Sequence, residues 1–131
     1  MSQQNVDLVR SLLAEWDRGD FRSREWAAPG VEFVLADGPE PGRWHGVAGL
    51  AAYWRDFLRH WQGFHVSADS VRELDDGRVL AFLRLSGRAT ASGVAVQQPA
   101  TAVFRLDDGK VTELLYFNDR EGGLNDLGLA G

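Results

Sequence analysis

The chain has 131 residues, 44% of them apolar and 25% charged, with a formal net charge of −5. That length fits one domain, residues 1–131, with a core large enough to need no covalent staples. Cysteine is absent, which excludes disulfides and thiolate metal sites, and the acidic balance argues against a nucleic-acid surface, which needs clustered positive charge.

Taken in order, Val6, Val9, Leu13 and Trp16 recur at helical spacing and predict a helix over residues 5–18, stopped by Gly19. Ser23 reads as the N-cap of a short second helix over 23–28, ended by Pro29-Gly30. Residues 31–35 read as a short strand, and Asp37 to His45, with two Pro and two Gly, as a loop. Gly46 to Trp61 reads as the longest helix, with Val47, Leu50, Trp54, Leu58 and Trp61 on one face and Arg55, Asp56 and Arg59 elsewhere. From Gly63 onward the period changes to two. Residues 64–74, 78–89, 94–106 and 110–118 read as four strands, joined by turns at Asp75-Asp76-Gly77, Ser92-Gly93 and Asp107-Asp108-Gly109. The tail GGLNDLGLAG is expected to add a helical turn. Helices first and a strand meander after them predict an α+β fold: a highly curved antiparallel sheet packed by N-terminal helices as a cone around an internal pocket. No apolar run reaches ~18 residues, and MSQQNVDLVR has no signal-like core, so a cytoplasmic protein without a membrane is expected.

The segments WAAPGVEFV, G-x-x-G-L-x-x-Y-W from Gly46, and SGVAVQQPATAVFRLDDGKVTELLYFNDREGGLNDLGL resemble the NTF2-like superfamily, closest to its SnoaL-like subgroup. The superfamily includes ketosteroid isomerases, polyketide cyclases, scytalone dehydratase and limonene epoxide hydrolases. The resemblance covers nearly the whole chain, and the fold hosts enzymes and plain binding or dimerisation modules alike.

Carried onto this chain, the ketosteroid isomerase pattern places its general base at Asp37. Its oxyanion-hole positions fall at Leu12 and near Ala102, which cannot donate a hydrogen bond, so a steroid isomerase is not expected. Arg105-Leu106-Asp107 has the Arg-x-Asp spacing of the epoxide hydrolases but runs into a turn. His60 and His65 approximate the dehydratase histidine. The cyclase acid on the last strand has Asn118 and Asp119 as candidates. Period two groups Leu114, Tyr116 and Asn118 on the face that the isomerase count turns inward, and puts Asp119 at the rim.

The candidate catalytic residues are therefore Asp37, His45, Tyr116 and Asn118. Asp37 reads equally as a turn residue before Gly38 and as a base whose proton affinity apolar walls would raise. His45 reads as a loop histidine or a proton shuttle. Trp16, Phe33, Tyr53, Trp54, Gln98, Ala102, Phe104 and Leu114 are the candidate ligand-binding residues. Gln98 is the lone amide on an otherwise apolar strand face. Arg84 is expected on the back of the sheet. The three histidines lack metal-ligand spacing, and no phosphate-binding glycine motif is present, so no metal and no cofactor is implied. The expected partner is a small apolar molecule, polycyclic or carbonyl-containing, with proton transfer beside a carbonyl as the chemistry; the alternative is a non-catalytic binding module. No nucleic acid is expected, and a homodimer is expected through an apolar sheet back.

Overall fold

The computed structural model describes residues 2–36 and 42–118; Asp37, Asp119 and the tail lie outside these. Helix α1 (Ser2–Asp17) presents Val9, Leu12, Leu13 and Trp16 to the core, all nearly inaccessible to solvent. It starts earlier than the periodicity suggests and ends, as expected, ahead of Gly19. Among the described residues, no helix is long and apolar enough to cross a membrane.

The second predicted helix is absent. At Ser23 to Ala27 the chain turns instead: the Trp26 indole donates to the Ser23 carbonyl (2.9 Å), and Ala27 N–H donates to Arg24 (3.1 Å). Strand β1 (Ala27–Leu35) then begins, several residues before Val31, and it runs through Pro29-Gly30. Its pairing shifts between Ala27 and Glu32, the irregularity that lets a proline sit within a strand. The predicted loop also hides a strand. β2 (Gly42–His45) pairs antiparallel with β1, setting Trp44 across from Phe33 and His45 across from Glu32.

Helix α2 (Gly46–Leu58) is shorter than expected, because Trp61 already belongs to β3. Gly46 opens it with φ +77°, a left-handed conformation costly for any residue with a Cβ. Gly46→Ala is expected to cost about 1–2 kcal/mol, read as a lower urea midpoint with unchanged slope.

The meander follows as predicted: β3 (Trp61–Glu73), β4 (Val79–Ala89), β5 (Ala95–Asp107) and β6 (Lys110–Phe117). The sheet order is β2-β1-β6-β5-β4-β3. One pairing departs from the expected antiparallel sheet: β1 runs parallel to β6, so the sheet is mixed. One helix, α2, and four strands lie between β1 and β6 in the chain, a crossover long enough to permit a parallel neighbour. Pairing irregularities in β3 and between β5 and β6 bend the sheet around the helices. Gly87 marks a close approach, where an added Cβ would meet Phe64 and Trp61 at 3.2 Å.

The back of the sheet differs from the expectation. Leu80, Val103 and Phe117 face outward, yet are 1%, 3% and 4% exposed within one chain. Arg84 lies there as predicted, half-buried and paired with Asp69 at 3.3 Å.

Candidate functional site

A cavity of about 570 Å³ opens between α2 and the inner face of the sheet. Its depth is aromatic because α1, β1, α2 and β3 each turn a ring inward. Trp16, Phe33, Trp54 and Phe64 line it and are at most 8% exposed. Trp16 meets Trp54 edge-on at 5.5 Å, and Phe21 stacks on Trp54 from behind at 4.7 Å. Leu83 and Leu85 of β4, Ala102 of β5 and Leu114 of β6 complete an apolar wall. Their alternation along each strand is the period-two pattern seen in the sequence.

Tyr53 stands between Phe33 and Trp44, each 4.7 Å from its ring, and stacks on Phe57. Burial among these rings pushes its phenol up to about 12. The phenol thus stays a donor at neutral pH. Its elevation favours the native state below pH 10; that advantage is lost as pH rises from 10 to about 12, where the unfolded phenol ionises first. Ultraviolet titration is expected to show a tyrosine ionising near pH 12, with stability falling through that window. Tyr53→Phe is expected to remove both signals.

Polar groups gather at two places on the rim. On the sheet side, Gln98 Nε2 donates to Asn118 Oδ1 at 3.2 Å, and Tyr116 lies one inward position before Asn118. The Ala36 N–H donates to the Tyr116 carbonyl at 2.9 Å, which fastens the end of β1 to this corner. On the helix side stand Asp56, which the sequence did not single out, and His60, which it offered as an approximation to the dehydratase histidine. Their signal was available: Tyr53 and Phe57, and Asp56 and His60, are two adjacent rows at i, i+4 spacing. Counting only the most apolar face of α2 obscured it. Trp44 was missed as lining for another reason, since its strand was read as a loop.

The structure thus brings together Trp16, Phe33, Tyr53 and Trp54 with Gln98 and Ala102 in one cavity, and Leu114, Tyr116 and Asn118 line it too. It separates others. Phe104 is fully buried behind the wall, its ring 6.4 Å from Trp16. His45 lies across from Glu32 on the face of β2 opposite Trp44, 3.8 Å from the Glu32 carboxylate, and does not line the cavity. Glu32 is held below the usual carboxylate range chiefly by its bond to Arg43, with His45 adding to the effect. His65 pairs with Asp17 at 3.4 Å, and Arg105 pairs with Glu113 at 3.8 Å, both outside the lining. Asp37 follows Ala36 directly in sequence but lies outside the described residues. Among the described residues, no group of three or more His, Asp or Glu side chains is placed to hold a metal.

A curved, unclosed six-stranded sheet with two helices over a pocket is the α+β NTF2-like fold. The SnoaL-like domain profile matches residues 9–114, and the chain belongs to that family. Solved structures agree on the fold. A proposed SnoaL-like polyketide cyclase from a Jannaschia species superposes with a TM-score of 0.77 at 24% identity, covering 95% of this chain and 91% of its own. TerC, co-crystallised with polyporic acid, gives a TM-score of 0.76 at 19% identity, with 95% and 97% covered. A protein with a ketosteroid isomerase-like fold from Catenulispora acidiphila, in complex with trimethylamine, gives 0.72 at 13% identity, with 94% and 93% covered. Among curated proteins, none matches the chain.

Proposed function

We propose that this protein is a cofactor-independent enzyme that moves a proton beside a carbonyl of a small, largely apolar molecule held in the cavity. The observation that supports it is an aromatic cavity whose strand-side rim carries Gln98, Tyr116 and Asn118 beside the end of β1. Tyr116 and Asn118 would donate to the carbonyl oxygen as charge develops on it, Gln98 would hold Asn118 in place through their bond, and Asp37 would take the proton. Apolar walls strengthen such donors by excluding water. The reaction class is isomerisation, cyclisation or dehydration. His45 is left out because it faces Glu32 rather than the cavity. An epoxide hydrolase is set aside because Arg105 lies outside the lining. A homodimer is not part of the reading: its ground was an uncovered apolar sheet back, and Leu80, Val103 and Phe117 are already covered within one chain. Small-molecule complexes among structures of this fold agree with a cavity that is used.

The test is a thermal-shift panel of planar apolar carbonyl compounds on the wild type and Asp37→Asn, with turnover assays on every compound that raises the midpoint. The expected result is binding by both proteins and turnover by the wild type alone. Binding without turnover in either would favour the non-catalytic module, with Asp37 a turn residue.

A further inference from the structure

We propose that the helix-side mouth of the cavity, formed by Tyr53, Asp56, Phe57 and Trp61, is a cation-binding subsite, and that the molecule handled here carries an alkylated ammonium group. This rests on the cavity being the working site and adds the charge of its occupant. Three observations carry it.

The first is the chemistry of the wall. Nine of the described lining side chains are aromatic, Asp56 is the single carboxylate among them, and no Lys or Arg is present. Aromatic faces carry negative potential and attract a cation lying over them. An anionic group entering this cavity would meet no opposite charge among the described lining residues.

The second is geometry. Tyr53, Phe57 and Trp61 follow one another four residues apart down the end of α2 and into β3, with ring centroids 5.7 Å and 6.1 Å apart. All three are partly exposed and line the cavity, so they offer ring surface to whatever enters it. Asp56 directly precedes Phe57 on α2 and lines the same cavity.

The third is that Asp56 has no cation of its own. Asp20, Glu32, Asp69, Asp76 and Glu113 are each paired with an arginine. Among the described residues, Asp56 has neither a hydrogen bond nor an ion pair. Its neighbour Arg55 instead lines a separate depression with Arg18 and Arg22. An alkylated ammonium is weakly hydrated compared with a bare one, so it loses little on leaving water for such a wall.

Two probes of nearly the same shape isolate the charge: meta-hydroxyphenyl trimethylammonium and its neutral isostere meta-tert-butylphenol. Each is titrated calorimetrically into the wild type, Asp56→Asn and Trp61→Leu, with fluorenone as a neutral reference. The pH is about 8, where an ordinary imidazole is uncharged. The expected result is roughly tenfold tighter binding of the cation than of the isostere by the wild type. Asp56→Asn, at an exposed position, should lose about three- to fivefold of the cation's affinity and none of the isostere's. Trp61→Leu should reduce the preference further. Equal affinities, or a preference for the neutral phenol, would overturn the cationic class while leaving the cavity as a binding site. So would cation affinity unchanged in both variants, or binding of fluorenone alone. Binding of none of the three by the wild type would overturn the inference and the cavity reading together.

Discussion

Trp16→Ala is expected to lower the stability of the protein by about 3–5 kcal/mol, a large part of what a domain of this size has. Trp16 is 4% exposed and stands where the helical and sheet layers meet. Its ring lies within 6.4 Å, centroid to centroid, of those of Phe21, Trp26, Trp54 and Phe104. Removing it takes away the transfer energy of a large side chain and leaves a void beside an existing cavity. Neighbouring rings cannot all move to fill that void, because Phe104 belongs to a strand and Trp54 to a helix held by the sheet. Urea unfolding followed by far-ultraviolet circular dichroism measures the loss. A cost below about 1 kcal/mol would mean that the ring network relaxes freely, contrary to this packing.

Tyr116→Phe and Asn118→Leu are expected each to lower kcat about a hundredfold, and kcat/KM by the same factor. An equal fall in both parameters is the mark of donors used in the transition state alone. A rise in KM at constant kcat would instead assign them to ground-state binding. The Asn118 substitution also removes the acceptor for Gln98, so Gln98→Leu is the companion measurement. It should cost less than Asn118→Leu, since Gln98 is proposed to act by positioning Asn118.

The parts of the fold legible in the sequence are those written in local periodicity. The α1 stripe Val9, Leu13 and Trp16, and the alternation of Leu114, Tyr116 and Asn118, appear in the structure on the faces expected of them. Asp-Gly pairs marked two of the meander's turns, at Gly77 and Gly109, both in left-handed conformation. What stayed hidden depends on distant partners. β2 has four residues and no period to count; it is a strand because Trp44 finds Phe33 across it. Ser23 looked like a helix cap, yet Val111 N–H donates to the Trp26 carbonyl at 2.8 Å and draws that segment onto β6. In the site, the strand-side amides were foreseeable as polar residues on apolar faces. His45 was misplaced because reading β2 as a loop gave it no face, whereas a strand commits it to the side opposite Trp44. Asp56 escaped because the cavity side of α2 is not its most buried side: Tyr53 and Phe57 there are only partly covered, as the lining of an open space must be.

The most direct test of the cavity as the working site uses the protein's own tryptophans. Trp16, Trp44, Trp54 and Trp61 line it, whereas Trp26 lies behind Trp16 with its indole N–H given to Ser23. The measurement follows the five indole N–H signals in a nitrogen-15 correlation spectrum while fluorenone is added. Saturable shifts in the four lining indoles, with Trp26 moving least, are the expected result. Shifts confined to Trp26, or no saturable shift at ligand concentrations that raise the thermal midpoint, would place the ligand elsewhere and contradict the account.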